Sequence, residues 1–201
     1  MARFDGRVAL VTGAGSGLGR ATAQQLGAEG ASVACLDIVA DGAEKTAGEI
    51  AEQGGTARAY KVDVSDPESV RPAVAAAAKD LGRPELVFNC AGIGRFSHSA
   101  ETPFEEWSKI LGVNLTRALA EEYLKRGVRV NCIAPGGIET PLQNEFMQMP
   151  EGVTWKDLRK VMTPLGNSQP EEIANVAIFI ASDACRYMTG SIISIDGGLT
   201  I

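Results

Sequence analysis

The residues with the clearest capacity for chemistry form a glycine-rich turn, Thr12-Gly-Ala-Gly-Ser-Gly-Leu-Gly19, directly after a short apolar run. Gly13 permits a tight turn, Gly17 lets a backbone come close to a pyrophosphate, and Gly19 lets the next helix pack against the strand. The N–H groups at the positive end of that helix would then face phosphate oxygens. Other turns and helix caps also need glycine, so the turn alone is weak evidence for a site.

A carboxylate supports the interpretation of this turn as a dinucleotide site. Asp37 ends the second apolar run, at about the offset where a carboxylate accepts the hydroxyls of an adenosine ribose. A carboxylate there repels a 2′-phosphate, and Ser16 and Ile38 stand where a basic residue would attract one. A solvated carboxylate at the end of a strand is the alternative interpretation. The spacing favours the ribose site, and the sequence therefore predicts NAD rather than NADP.

The elements that must position these residues alternate between apolar runs and amphipathic stretches. Strands are predicted at 7–12, 32–38, 56–64, 86–90, 128–134 and 191–196. Helices are predicted at 17–29, 42–53, 67–81, 104–126 and 171–182. Continuous apolar strands alternating with helices indicate an α/β protein with a mostly parallel sheet and helices on both faces. We expect one domain over 1–201, with a lid-like substrate loop at about 141–165.

The amino-acid composition limits the classes of partner and cofactor that we expect for this protein. The hydrophobic fraction of 45% is that of a globular protein, and the net charge of −6 argues against nucleic acid or an anionic membrane. No apolar run approaches the roughly 20 residues that span a bilayer. The four cysteines lie far apart, which fits free thiols in a reducing cytosol and predicts a cytoplasmic protein. A single histidine, His98, leaves no basis for a metal site.

Taken together, these motifs resemble those of the short-chain dehydrogenase/reductase family, from about Gly6 to the C-terminus. The family's Thr-Gly-x-x-x-Gly-x-Gly motif is complete at Thr12–Gly19. Its Asp-Val pair, which brackets the adenine ring, corresponds to Asp63-Val64. Its Asn-Asn-Ala-Gly motif, which lines the cofactor, is Asn89-Cys-Ala-Gly92, with Cys90 in place of the second Asn.

The resemblance also implies roles further along the chain. Asn114 matches the active-site asparagine that anchors a water in a proton relay, so it is the one catalytic residue that the sequence retains. Pro135-Gly136 matches the turn beside the nicotinamide, and Thr140 would hold its carboxamide. The cofactor-binding residues predicted from motif and resemblance are Gly13, Ser16, Gly17, Leu18, Gly19, Asp37, Ile38, Asp63, Val64, Asn89, Ala91, Gly92, Pro135, Gly136, Ile138 and Thr140.

One part of the family pattern is missing. Members carry a strand with a catalytic serine, followed by a Tyr-x-x-x-Lys motif in which the lysine lowers the pKa of the proton-donating tyrosine. This chain passes directly from Thr116 to Arg117, and on the order of 50 residues are absent compared with a typical member. None of the three tyrosines, Tyr60, Tyr123 and Tyr187, has a lysine four residues later. The resemblance thus implies a Rossmann-like, doubly wound fold that lacks one βα unit.

Two origins for this gap stay open: a real deletion, or a native protein with an internal segment that this sequence lacks. The halves of two helices would fuse into one helix at about 104–126, which preserves a right-handed crossover. Three functions follow. The first is an NAD-dependent oxidoreductase acting on a secondary alcohol or ketone, as a homo-oligomer in keeping with the family. The others are a catalytically inactive NAD-binding module and a protein that keeps the fold for oligomer contacts.

Overall fold

The computed structural model describes residues 2–92, 112–142 and 163–199. Two compact units divide the chain. The first comprises Met1–Ile93 with Pro170–Ser182, and the second comprises Gly94–Gln169 with Asp183–Ile201. Most of the lid predicted at about 141–165 falls at 143–162, outside the described residues. The lid and the single domain over 1–201 therefore stay predictions.

The elements follow one another in βα alternation. In chain order they are β1 (Val8–Thr12), α1 (Gly17–Ala28), β2 (Ser32–Asp37), α2 (Ala40–Glu52), β3 (Thr56–Lys61), α3 (Pro67–Leu81), β4 (Pro84–Asn89), α4 (Gly112–Tyr123), β5 (Cys132–Pro135), α5 (Pro170–Ala181) and β6 (Ile192–Ile195). The first unit holds β1–β4, α1–α3 and α5, and the second holds α4, β5 and β6.

The first unit is built on a parallel sheet with the strand order β3-β2-β1-β4. At the carboxyl end of β1, Thr12 lies opposite Leu36 on one side and Asn89 on the other. Asp37, the last residue of β2, lies opposite Lys61, the last residue of β3. Because parallel strands all run the same way, the residues that follow these four strands meet at one edge of the sheet.

Apolar layers cover both faces of this sheet, as predicted. On one face, Val11 and Val33 pack in a cluster with Leu26 of α1, Ile50 of α2 and Ile178 of α5. On the other face, the cluster formed by Leu10, Ala34, Leu36 and Val62 contains Ala73 and Ala77 of α3. The strands β1 and β2 are buried on both faces, which explains their continuous apolar sequences. Each fully buried Val or Leu side chain stabilises the fold by roughly 1.5–3 kcal/mol.

In the second unit, α4 is followed by a 3₁₀ turn at Leu124–Arg126. The predicted helix at 104–126 is therefore helical over 112–126, while 104–111 lies outside the described residues. The strands β5 and β6 pair in parallel, with Cys132 opposite Ile192.

The strand predicted at 128–134 is wrong in its first half. The N–H of Val130 donates to the Thr189 hydroxyl oxygen at 3.1 Å, and the side-chain amide of Asn131 donates to the Met188 carbonyl at 3.0 Å. The carbonyl of Val130 in turn accepts from the Gly190 N–H at 2.7 Å. These bonds to 188–190 take the place of a strand ladder, so the strand begins only at Cys132.

Candidate functional site

The glycine turn between β1 and α1 is closely packed. Gly13 has φ of +67°, and a Cβ there would lie 2.8 Å from the backbone nitrogen of Ala91. A Cβ on Gly19 would overlap the carbonyl oxygen of Gly13. Gly17 has φ of +49°, a conformation that glycine adopts more readily than other residues. The sequence motif is thus required by the local backbone, independently of any ligand.

The N-terminus of α1 carries no side-chain cap. Ser16 is its N-cap residue with extended backbone angles, and its hydroxyl makes no capping hydrogen bond. The first turn of α1 holds no acidic residue, whereas α3 is capped by Asp66, whose carboxylate accepts the Glu68 N–H at 2.9 Å. The first N–H groups of a helix have no intrahelical acceptor and favour negative charge. The start of α1, including Leu18 and Gly19, is therefore suited to an anion.

Asp37 holds the glycine turn from the end of β2. Its Oδ2 accepts the Gly15 N–H at 2.8 Å, and its Oδ1 accepts the Val39 N–H at 2.9 Å. The carboxylate is half-buried, and each of its oxygens keeps lone-pair capacity for a further donor. Ile38 and Val39, directly after it, are 58% and 60% exposed. A carboxylate held by two hydrogen bonds thus lies next to two largely exposed apolar side chains.

Two residues beyond the end of β3, Asp63 forms a compact turn with Ser65. Its Oδ1 accepts both the Ser65 hydroxyl at 2.6 Å and the Ser65 N–H at 2.9 Å. Both bonds lower the pKa of the Asp63 carboxyl, and the bond from the Ser65 hydroxyl contributes more than the bond from the Ser65 N–H. The N–H of Asp63 donates to the Ser69 hydroxyl oxygen at 3.0 Å, so the chain leaves the sheet here. The strand predicted at 56–64 accordingly ends at Lys61.

The next residue, Val64, is half exposed, at 50%. It lies three residues after the end of β3, whereas Ile38 directly follows β2, and these two strands are direct neighbours in the sheet. The carboxyl edge of β2 and β3 therefore carries exposed apolar side chains next to two carboxylates, those of Asp37 and Asp63.

The segment after β4 is tied to β1 through a hydroxyl. Thr12 Oγ1 accepts the N–H groups of Cys90 and Ala91, each at 3.1 Å. Asn89 and Gly92 on either side are exposed at the same edge of the sheet. Burial raises the pKa of the Cys90 thiol to about 11, partly offset by a hydrogen bond with Thr22. The Thr12 hydroxyl thus holds this segment beside the glycine turn. The cysteine at position 90, in place of the family's asparagine, leaves this arrangement intact because the bond uses its backbone N–H.

The predicted residues of the first unit thus meet at one edge. Those of the second unit lie in two places along its chain, on α4 and in the segment from the end of β5 onward. Asn114 is on α4, Pro135 ends β5, and Ile138 forms an isolated parallel bridge with Ser168. Gly136 donates its N–H to the Ile195 carbonyl at 3.1 Å, and a Cβ there would lie 2.6 Å from the Asp196 carbonyl oxygen. Thr140 follows in the same loop, and its role and that of Asn114 stay predictions.

None of the three tyrosines has the surroundings of a proton donor to a substrate. Tyr60 lies on β3, where its hydroxyl donates to Asp80 at 3.1 Å, and burial raises its pKa to about 12. The ring of Tyr123 has the Arg126 guanidinium 5.1 Å from its centre. Tyr187 is fully exposed. A catalytic phenol needs a pKa near the working pH, so Tyr60 is unsuited to this role.

Within residues 2–92, 112–142 and 163–199, no cluster of three or more His, Cys, Asp or Glu side chains could hold a metal ion. In those same ranges, no helix combines the length and the apolar character needed to cross a bilayer.

Sequence comparisons agree with this geometry. The family profile described as short chain dehydrogenase matches residues 7–117, and the one described as Enoyl-(Acyl carrier protein) reductase matches residues 113–200. The chain is 32% identical over 250 residues to a D-threitol dehydrogenase of Mycolicibacterium smegmatis, covering 99% of this chain and 95% of the relative. It is also 32% identical over 250 residues to a cyclohexanol dehydrogenase of Acinetobacter sp., covering 98% and 96%.

Solved structures give the same result. A short-chain type dehydrogenase/reductase from Mycobacterium marinum superposes with a TM-score of 0.86 at 28% identity, covering 98% of this chain and 96% of that one. The chain therefore belongs to the short-chain dehydrogenase/reductase family. By this membership it is an oxidoreductase of the nicotinamide-dependent dehydrogenase type.

The comparisons also bear on the predicted gap. Both alignments extend over 250 positions, whereas the sequence has 201 residues, so roughly one fifth of the aligned positions have no counterpart here. The two family profiles meet at residues 113–117. That junction coincides with the passage from Thr116 to Arg117, where the sequence predicts the missing βα unit.

Two hydroxyl groups that support this edge were not predicted from the sequence. One is Thr12 Oγ1, described above. The other is Thr46 Oγ1 on α2, which donates to the Ala14 carbonyl at 2.8 Å. A threonine inside a helix carries no local signal that its partner lies in a distant turn, so only the tertiary structure reveals the bond.

Proposed function

We propose that the protein transfers hydride between NAD(H) and a secondary alcohol or ketone, with the adenosine half of the cofactor held at the carboxyl edge of β1, β2 and β4. The single observation that carries the cofactor assignment is Asp37. Its carboxylate is fixed by two backbone N–H groups beside the glycine turn and retains capacity to accept the ribose hydroxyls.

Each part of NAD has a suitable counterpart at this edge. The uncapped start of α1 suits the pyrophosphate, with Gly17 allowing close approach. The exposed side chains of Ile38 and Val64 suit the adenine ring, whose faces are apolar. The polar edge of the adenine would face Asp63 and the segment Asn89–Gly92. On the resemblance, Pro135, Gly136, Ile138 and Thr140 would surround the nicotinamide.

We favour NAD over NADP for an electrostatic reason. A 2′-phosphate on the ribose would lie against the Asp37 carboxylate, and like charges in contact repel. Neither Ser16 nor Ile38 supplies a compensating positive charge. The Asp37 carboxylate is also held in place from both oxygens, so it cannot easily rotate away from the added phosphate.

The substrate class rests on the relatives. One is named for D-threitol and another for cyclohexanol, both of which contain secondary hydroxyl groups. The net charge of −6 disfavours nucleic acid as a partner. The four free cysteines support a cytoplasmic location, and the family resemblance supports a homo-oligomer. The half-exposed Phe179 on α5 is available for such an interface.

A second candidate function concerns the 201-residue chain on its own: binding of NAD(H) without turnover, or service as an interaction module. The absence of Tyr-x-x-x-Lys from the sequence favours it, because proton transfer to the substrate oxygen then has no donor. In this case Asn114 would be a remnant of a proton relay. The proton donor would lie in the segment that the aligned relatives contain and that this chain lacks.

The test combines three measurements on one purified preparation: intact mass, NADH fluorescence titration, and turnover of a panel of secondary alcohols and ketones. A mass near 21.1 kDa shows that no internal segment has been omitted. With that mass, we expect saturable NADH binding without turnover, and a longer protein should show both. No saturable signal at millimolar NADH contradicts the cofactor site, and turnover by the 201-residue chain contradicts the requirement for the missing segment.

A further inference from the structure

A fully buried hydroxyl lies directly behind the glycine turn. Thr46 is on α2, has no solvent exposure, and donates from Oγ1 to the Ala14 carbonyl oxygen at 2.8 Å. The bond joins residues 32 positions apart in the chain. It links the second helix to the turn that precedes the first.

The peptide group between Ala14 and Gly15 is held at both ends. Its carbonyl accepts from Thr46, and its N–H donates to Asp37 Oδ2 at 2.8 Å. A peptide group is planar, so fixing its oxygen also fixes the direction of its N–H. Gly15 has no Cβ to restrict rotation of this plane. The hydroxyl of Thr46 therefore determines where the Gly15 N–H points, and that N–H determines where Asp37 Oδ2 lies.

The ordinary role of a helical threonine accounts for only part of this geometry. Such a hydroxyl commonly bonds the carbonyl four residues earlier in its own helix. Here that carbonyl belongs to Gly42 and lies 3.1 Å away, whereas the Ala14 carbonyl is nearer, at 2.8 Å. A hydroxyl has one hydrogen to donate. The helix could satisfy Thr46 alone, yet the shorter bond goes to the turn.

We propose that Thr46 is a positioning residue for the ribose-binding carboxylate and acts on Asp37 through the Ala14–Gly15 peptide. The proposal rests on the NAD(H) site proposed above. Without the hydroxyl, the peptide group loses the bond to its carbonyl and is held only by the bond from the Gly15 N–H to Asp37 Oδ2. That remaining bond is then less well oriented, and the firmest hold on Asp37 is the one from the Val39 N–H. The carboxylate then spends part of its time in orientations that cannot accept the ribose hydroxyls.

The test uses the full chain with T46V, which keeps the shape but removes the hydroxyl, and T46S, which keeps the hydroxyl. NADH affinity is measured by fluorescence, and AMP and 2′,3′-dideoxy-AMP are measured by displacement of NADH. T46V should weaken NADH and AMP about fivefold, the value of one hydrogen bond, and leave dideoxy-AMP unchanged. T46S should restore wild-type affinity even if its lost methyl group lowers the unfolding midpoint.

A double-mutant cycle with D37A completes the test. If Thr46 acts through Asp37, T46V has no further effect on NADH affinity in the D37A background. Equal weakening of AMP and dideoxy-AMP, or the same loss in both backgrounds, overturns the proposal. Weaker binding by D37A with unchanged binding by T46V overturns the role of Thr46 alone. Unchanged binding by D37A instead contradicts the proposed cofactor site. If T46V does not fold, T46C, a weaker donor of similar size, should give a smaller loss with the same pattern.

Discussion

The backbone N–H of Gly15 donates a 2.8 Å hydrogen bond to Oδ2 of Asp37, across 22 positions of sequence. This bond joins the two features that the sequence singles out, the glycine turn after β1 and the carboxylate at the end of β2. The turn is thereby fixed to the second strand, and the carboxylate is fixed to the turn. Each helps to hold the other in the arrangement that we propose for dinucleotide binding.

Gly15→Ala should weaken NADH binding by disturbing this contact. A Cβ at position 15 would lie 2.9 Å from Asp37 Oδ2 and 3.2 Å from the Gly42 carbonyl carbon, so the carboxylate or α2 must move. We expect a loss in affinity of about tenfold, equivalent to about 1.4 kcal/mol, measured by fluorescence titration.

Gly48→Ala is the matched control for this substitution. Gly48 lies in α2, is exposed, and has no atom within 4 Å of an added Cβ. Alanine there should stabilise the protein by roughly 0.5–1 kcal/mol and leave NADH affinity unchanged. Equal affinity for Gly15→Ala and Gly48→Ala would contradict the role assigned to the contact between Gly15 and Asp37.

Thr12→Val should destabilise the fold as well as the site. The Thr12 hydroxyl accepts the N–H groups of Cys90 and Ala91, and valine leaves both without this acceptor. We expect the free energy of unfolding to fall by about 1 kcal/mol in urea titrations, because the partly buried Cys90 N–H loses its partner while the exposed Ala91 N–H can turn to water. Thr12→Ser keeps the acceptor and should recover most of the loss. A valine variant as stable as wild type would show that these bonds contribute little.

The buried thiol of Cys35 should make stability decrease in alkaline solution. Burial raises the pKa of this thiol to about 12. In the unfolded chain a thiol ionises near pH 8.5, so between about pH 8.5 and 12 the unfolded state releases a proton that the folded state keeps. The contribution is fully present below pH 8.5 and is lost progressively above it.

Urea unfolding at several pH values measures this effect. Cys35→Ala should flatten the decrease over the same window, although its smaller side chain lowers stability at every pH. Wild-type protein should also resist modification of Cys35 by a thiol reagent at pH 8 until it is unfolded. Rapid modification of Cys35 in the folded protein would contradict its burial.

Local sequence signals predicted the elements best where those signals were strong. The helix predicted at 67–81 has these bounds in the structure, because Pro67 follows an Asp66 cap and Gly82 ends the helix with φ of +103°. The glycine turn and Asp37 were likewise predictable, since their spacing reflects the local geometry of a βαβ unit.

Features that depend on distant partners could not be predicted. The chain at 128–131 has a strand-like composition, yet Arg129 donates to the Cys185 and Met188 carbonyls, and Asn131 also bonds to 188 and 191. Thr12 and Thr46 similarly find their partners 78 and 32 positions away. Residue types alone give no indication of such pairs, because tertiary packing selects them.

The selectivity between NADH and NADPH tests the central claim most directly. Fluorescence titrations of wild-type protein and Asp37→Ser, which removes the charge, give both dissociation constants. Wild type should bind NADH at least about tenfold more tightly than NADPH, a difference of about 1.4 kcal/mol. Asp37→Ser should bind NADH more weakly and lose most of this preference, because the repulsion of the 2′-phosphate is gone. Equal affinity of the wild-type chain for the two cofactors, or an unchanged preference in Asp37→Ser, would contradict the assignment of Asp37 as the ribose-binding carboxylate.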